Sequence, residues 1–228
     1  MYLNNYWVCF EGAIPSHICD EIIKFGCNKQ IQEARIGTSE NLDALLKKEN
    51  PTPEDQQEIS RLKAKIKKTR NSKVSWLDEP WLHRWLDPFI REANFQNWQF
   101  DLDEYEDYQF TIYEGDKKQH YDWHTDMLKT YDKNHWQKRW HNKTRKLSAV
   151  VQLTDPSEYE GGRFWINHGD KAPTEKQSEV LVEGMKHRGS VLVFPSFLFH
   201  KVEPVTFGTR YSLVNWTLGD MFRWGIMD

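Results

Sequence analysis

GSVLVFPSFLFHKVEPVTFGTRYSLVNW, residues 189–216, is the stretch that decides the fold. Its β-branched and aromatic runs have strand length, and Gly189, Pro195, Pro204 and Gly208 punctuate them at close intervals. The same texture reaches back to residue 98, through WQFDLDEYEDYQFTIYEG (98–115), RKLSAVVQLTD (145–155), GGRFWINHG (161–169) and EVLVEG (179–184). Short strands broken by turn residues, with no helices alternating between them, read as an antiparallel sandwich or barrel rather than as βαβ units.

The first 95 residues read differently. Residues 6–12 suit a short strand. A helix follows, with Ile18, Ile22 and Phe25 on one face, Ser16 as its cap and Gly26 as its stop. Residues 78–92 suit a second helix carrying Trp81, Leu82, Trp85 and Phe89, broken or kinked at Pro88. Between them Leu42, Leu45 and Leu46, then Ile59, Leu62 and Ile66, mark a helical hairpin inserted over 39–69. Seven basic residues from Arg61 to Lys73 occur with no acid between Ile59 and Leu77. They fit either a solvated helical face or a basic arm that docks a partner or closes over a substrate. The expected organisation is one domain over 1–228, with helical support in 1–95 and a β core in 96–219.

The chain has 228 residues, 38% hydrophobic and 29% charged, with a net charge of −3, which excludes a disordered or collagen-like chain and makes nucleic-acid binding unlikely as its main business. Cys9, Cys19 and Cys27 are an odd number crowded into the first 27 residues, so a disulfide framework is not expected. With no leader-like start and no apolar run long enough to span a bilayer, the expected location is the cytoplasm, away from membranes. Nothing in the sequence speaks to oligomeric state. Tryptophan is abundant, 11 of 228 residues, and most of it falls on the candidate strands and helices as core.

The polar residues inside the β region carry the chemistry. His124-Thr-Asp126 is an H-x-D; two residues apart on a strand, both side chains would share a face. His200 ends the apolar run VLVFPSFLF. Alone it would read as a hydrogen-bonded core histidine; beside an H-x-D it reads as a third ligand. Two histidines and one carboxylate leave coordination positions open, a donor set that suits non-haem Fe(II). Arg210, ten residues on, sits in an apolar strand where an unpaired charge is costly. Glu203 could pair with it, or the guanidinium could take a ligand carboxylate, with Ser212 on the same face.

With these residues in place, the order H-x-D, Gly161-Gly162, His200 and then Arg210-Tyr-Ser212 resembles the Fe(II)/2-oxoglutarate-dependent dioxygenases, and within them the prolyl 4-hydroxylase-like branch. Tyr113-Glu-Gly115 is similar to that family's Y-x-G strand, SHICDEII (16–23) to its N-terminal helix, and RNSKVSWL (70–77) to an R-x-S segment near its active site. The resemblance implies a double-stranded β-helix (jelly-roll, cupin-like) core, mainly β with helical support. It implies Fe(II) on His124, Asp126 and His200, and 2-oxoglutarate on Arg210 with Ser212, Tyr113, Gln152 and Trp216 assisting. O2 would be the oxidant and ascorbate a reductant. The implied activity is hydroxylation of an unactivated C–H bond, foremost a prolyl residue of a peptide or protein, with release of succinate and CO2. A free amino acid or other small molecule is the alternative substrate, and a non-catalytic metal-binding sandwich the alternative class. Trp76, His120, Tyr121, Trp136 and Trp140 are the candidate substrate contacts; His135 and His141 fall in the same loop as the last two, either a lid or an aromatic cluster packed on itself.

Overall fold

The computed structural model describes residues 3, 5–36, 39–127, 130–131, 135, 137–172 and 174–222. The elements in chain order are β1 (Val8–Phe10), α1 (Ser16–Asn28), β2 (Gln32–Glu33), α2 (Ser39–Leu46), α3 (Pro53–Thr69), β3 (Arg70–Asn71), β4 (Lys73–Leu77), α4 (Trp81–Asn97), β5 (Glu104–Tyr105), β6 (Tyr108–Glu114), β7 (His120–His124), β8 (Lys143–Gln152), β9 (Tyr159–Gly161), β10 (Phe164–Asn167), β11 (Glu179–Leu181), β12 (Val191–Pro195), β13 (Phe199–Val202) and β14 (Val205–Asp220). Two antiparallel sheets result. The larger runs β1-β12-β8-β14-β6-β4-β2, with β5 and β9 also paired to β14; the smaller runs β11-β10-β13-β7-β3.

Alternation assigns each side of the large sheet. On β6, Tyr108, Phe110 and Ile112 join Ile18, Ile22, Leu82, Leu86 and Ile90 of α1 and α4 in one core. The interleaved Tyr113, with Val150 of β8 and Leu192 and Phe194 of β12, meets Phe164, Ile166 and Val202 of the small sheet in a second core. A sheet buried on both faces needs near-continuous apolar strands rather than strict alternation. That is why VLVF at 191–194 has no polar residue.

Several sequence expectations are corrected here. Ser16 is the first helical residue of α1 rather than its cap; Pro15 precedes it and no side chain caps that end. Gly26 does not stop α1, which runs on to Asn28. It serves contact instead: a Cβ there would lie 2.3 Å from the Phe110 ring. Gly26→Ala is therefore expected to cost about 1–3 kcal/mol by overpacking, read as a lowered denaturation midpoint; an unchanged midpoint would refute the close contact. Pro88 does not break α4, which is continuous from Trp81 to Asn97. Burial of Leu82, Leu86, Ile90 and Ala93 compensates for the hydrogen bond the proline cannot donate.

The hairpin over 39–69 forms as α2 and α3, and α3 opens with a capping box between Thr52 and Asp55. The segment before residue 95 is not purely helical. β2 and β4 extend the large sheet, and β3 pairs Arg70 with Tyr121 and Asn71 with His120 of β7. Among the described residues no helix is long and apolar enough to cross a membrane.

Candidate active site

His124, Asp126 and His200 converge between the sheets, each offering one ligand atom, all within 4.8 Å of one another. His124 Nε2 lies 3.6 Å from Asp126 Oδ1 and His200 Nε2 lies 3.4 Å from Asp126 Oδ2. Main-chain pairing aligns the two histidines directly across β7 and β13. Each ring is oriented through its other nitrogen: His124 Nδ1 sits 2.8 Å from the Asp122 carbonyl and His200 Nδ1 sits 3.0 Å from the Leu198 carbonyl. With those Nδ1–H groups donating, both Nε2 lone pairs remain available to a cation.

Asp126 reaches the cluster by a different route from the one the H-x-D spacing suggests. β7 ends at His124, so the strand pleat does not place the carboxylate. The Asp126 N–H donates to the Ser196 carbonyl at 2.9 Å, and Ser148 Oγ donates to Oδ2 at 2.8 Å while meeting Ser196 Oγ at 2.9 Å. Burial raises the Asp126 carboxyl, but His200, His124 and Arg145 overcome it and hold the group well below the ordinary carboxylate range. Burial, then His124, push the His200 imidazole down to about 4.

The sign of the pH effect follows. A folded value below the unfolded one of about 6.5 contributes stability that is present above that pH and lost as pH falls through the folded value. Chelator-treated protein is expected to lose thermal stability progressively between pH 6.5 and about 4, and His200→Asn to flatten that decline. A melting temperature constant across the window in the unsubstituted protein would contradict this.

The cluster opens into a cavity of about 460 Å³. Arg210, Ser212, Tyr113, Trp216, Trp76 and Tyr121 line it, as the sequence suggests. Arg210 is 1% exposed, and among the described residues neither its Nε nor its Nη1 has a hydrogen-bond partner. Glu203, the alternative partner, is engaged by Arg163 Nε at 2.6 Å. Gly162, at φ +60°, keeps the chain clear of Arg210: a Cβ there would stand 2.9 Å from Arg210 Cδ. A buried guanidinium with two unanswered donors fits a carboxylate ligand, and three converging donors with two histidines and an aspartate fit Fe(II). Tyr121 stacks on His124 with ring centroids 3.3 Å apart, and Trp216 tilts against Trp76 at 6.2 Å. Burial pushes the Tyr121 hydroxyl up to about 12, so it stays protonated at neutral pH.

Other expected site residues lie elsewhere. Gln152 is fully buried and outside the cavity lining; its Nε2 donates to the Thr154 carbonyl and the Tyr159 hydroxyl, which holds it away from the ligand space. His120 turns away from the cavity, with Nε2 2.9 Å from the Lys68 carbonyl. The cause is an irregular register between β13 and β7, which puts Tyr121 rather than His120 on the side of His124. Trp140 is buried against Tyr131 and His135, so of the two outcomes for that loop the self-packed aromatic cluster forms, and His141 joins it through the His135 carbonyl. Trp136 lies outside the described residues.

Sequence reasoning missed Arg145 and Ser148. Arg145 lines the cavity, pairs through two nitrogens with buried Glu106, donates to the Asp126 carbonyl at 3.3 Å and stacks over Trp216 at 3.7 Å. The available signal is an arginine and a serine in the strand KTRKLSAVVQ (143–152), just ahead of its apolar run AVV.

With the geometry in view, the comparisons are consistent with it. Residues 108–218 match the model of the 2OG-Fe(II) oxygenase superfamily. A PKHD-type hydroxylase of Gloeothece citriformis is 40% identical over 70 residues, which is 31% of this chain and 28% of that protein. A PKHD-type hydroxylase of Azoarcus is 36% identical over 103 residues, 45% of this chain and 39% of that protein. The matches thus span well under half of those relatives' own length. Among solved structures, a Pseudomonas putida prolyl-4-hydroxylase aligns with a TM-score of 0.56 at 19% identity, covering 97% of this chain and 95% of that one. A Trichoplax adhaerens prolyl hydroxylase, solved with a hypoxia inducible factor peptide fragment, aligns with a TM-score of 0.59 at 15% identity, covering 94% and 84%. At those identities the structural likeness establishes the double-stranded β-helix fold.

Proposed function

We propose that the chain, whose residues 108–218 match the model of the 2OG-Fe(II) oxygenase superfamily, is an Fe(II)- and 2-oxoglutarate-dependent hydroxylase acting on a prolyl residue of a polypeptide. The observation that carries the reading is one cavity holding both the His124–Asp126–His200 cluster and the buried Arg210 guanidinium, whose Nε and Nη1 have no hydrogen-bond partner among the described residues. When bound, Fe(II) with 2-oxoglutarate and O2 supplies hydroxylation of an unactivated C–H bond, coupled to formation of succinate and CO2.

The chain's own residues have distinct tasks in this reading. His124, Asp126 and His200 hold the cation on one side. Arg210 and Ser212 take the far carboxylate of 2-oxoglutarate, which sets its length and orientation relative to the cation. Phe164, stacked on His200 at 5.6 Å, and Tyr121, stacked on His124, cover the ligand rings and keep water from them. Trp76, 40% exposed at the cavity rim and backed by Trp216, offers an aromatic face of the kind that a pyrrolidine ring packs against. An indole open to solvent at the rim favours a segment of polypeptide over an enclosed free amino acid. The names of the relatives, PKHD-type and prolyl hydroxylases, support the same class.

Purified protein with Fe(II), 2-oxoglutarate and ascorbate is expected to form succinate slowly without substrate, and to add one oxygen to proline-containing peptides by mass spectrometry. Absence of succinate above the level of His124→Ala would overturn the enzymatic reading. Succinate without oxygenation of any prolyl peptide, but with oxygenation of a free amino acid, would overturn the substrate class alone.

A further inference from the structure

A second cavity, of about 470 Å³, lies between the helical hairpin and the sheets. Its apolar floor comes from Ala34, Leu42 and Ile66; its cationic rim comes from Lys63, Lys67, Lys73 and Lys117, with Arg70 at one end. Among the described residues, Glu33 is the one carboxylate in that lining. Lys73 and Lys117 share Glu114, at 2.9 and 2.7 Å. Among the described residues, Lys63 and Lys67 have no ion-pair partner and are exposed. They stand at i and i+4 on α3, an arrangement in which like charges destabilise a helix. Lys67 lies in the last turn, where the helix dipole offsets part of this, but Lys63 lies a turn earlier, beyond that help. An anionic occupant would relieve both.

This groove adjoins the active-site cavity, because Arg70 lines both. The Arg70 guanidinium stands 4.4 Å over the Tyr121 ring, the ring that stacks on His124. Asn71, in the groove lining, pairs with His120, four residues before His124 on β7. At about 3.3 Å per residue, that places the Asn71 part of the groove roughly 13 Å along β7 from His124.

We propose that the groove between α2–α3 and β4 binds an acidic, partly apolar segment of the polypeptide substrate, with its carboxylates about four residues from the hydroxylated position. The inference rests on the prolyl hydroxylase reading and names its substrate class. Lysine ammonium groups around an apolar floor fit glutamate or aspartate side chains interspersed with aliphatic ones. A nucleic acid is disfavoured because, among the described residues, the groove lining holds no aromatic side chain on which bases could stack, and because the whole chain is net acidic at −3.

The test uses the full chain and fluorescent peptides of sixteen residues with one central proline. One carries a glutamate- and leucine-containing block four residues from the proline, in versions on either side; its control carries glutamine in place of glutamate. Anisotropy at low salt is expected to show at least tenfold tighter binding of one glutamate version, weakening as salt screens the charges. Lys63→Gln/Lys67→Gln and Lys63→Glu/Lys67→Glu should lose that tenfold preference while succinate formation without substrate stays unchanged. Far-UV spectra check that α3 survives; the glutamine pair retains the test if the charge reversal does not fold. Equal binding of glutamate and glutamine peptides, or a preference that both double variants retain, would overturn the proposal. So would a labelled single-stranded oligonucleotide that binds more tightly than the glutamate peptides and is lost in the same variants. Lysine-dependent peptide binding with no oxygen added to the proline would instead overturn the prolyl reading and leave the groove assignment standing.

Discussion

Arg210→Met should raise the KM for 2-oxoglutarate about 10²- to 10³-fold in substrate-free succinate formation, while affinity for the cation stays within about twofold. The expected size is that of two charge-assisted hydrogen bonds, about 3–4 kcal/mol. Their donors are already visible as Nε and Nη1 of a residue 1% exposed, with no hydrogen-bond partner for either among the described residues. The same variant carries a second signature. A buried charge without a partner costs the fold free energy that a methionine of similar length would not. Arg210→Met should therefore melt higher than the unsubstituted protein when 2-oxoglutarate is absent, and should lose the stabilisation that 2-oxoglutarate confers on the unsubstituted protein. A purely structural arginine would behave in the opposite way, with lowered stability and an unmoved KM. That outcome would remove Arg210 from the site.

The second large effect concerns stability. Glu106→Gln is expected to cost about 3–5 kcal/mol, because it leaves Arg145 buried without its counter-charge. Glu106 is 5% exposed and pairs with Arg145 through both carboxylate oxygens. Despite its burial, which opposes ionisation, Arg145 is held more firmly charged than usual by Glu106. For a chain of this size, a loss of that order lowers the melting temperature by roughly 6–20 °C. Replacing both partners, Glu106→Leu with Arg145→Met, should recover most of the stability, since no unpaired charge remains. Function should not recover with it. Arg145 also donates to the Asp126 carbonyl and supports Trp216, so the double variant is expected to bind the cation more weakly. A Glu106→Gln protein within about 1 kcal/mol of the unsubstituted one would show that the pair is dispensable.

How legible each residue was in the sequence follows from how local its placement is. His124 and Asp126 are readable from their H-x-D spacing, and His200 and Arg210 because each is costly where it stands: a titratable or charged group in a run of apolar strand residues needs a ligand or a partner. Tyr113, Ser212 and Trp216 followed, the last two by strand alternation from Arg210 along β14. His120 was misplaced because alternation fails at the β7–β13 irregularity, which depends on the pairing partner. Gln152 stands outside the cavity lining because its Nε2 is engaged by Tyr159, which comes from another strand. Arg145 was overlooked because its reason for being charged, Glu106, is 39 residues away in sequence. Gly26 read as a helix stop because its contact with Phe110 is invisible at short range.

The sequence by itself determined the fold class, the candidate donor set His124, Asp126 and His200, and the buried arginine that lines the same cavity. Those properties reside in residue type and spacing: apolar runs of strand length, two imidazoles and a carboxylate, and a cation where no solvent reaches. Only the tertiary structure decided how Asp126 is held, which of His120 and Tyr121 faces the cluster, that Glu203 belongs to Arg163, and that a lysine-rimmed groove lies beside the active-site cavity. Each of these depends on segments far apart in the chain that the fold brings together: Asp126 with Ser148 and Ser196, β7 with β13, Arg163 with Glu203, and α3 with β4 and the turn at 115–117. Contacts between segments distant along the chain leave no periodicity in either one.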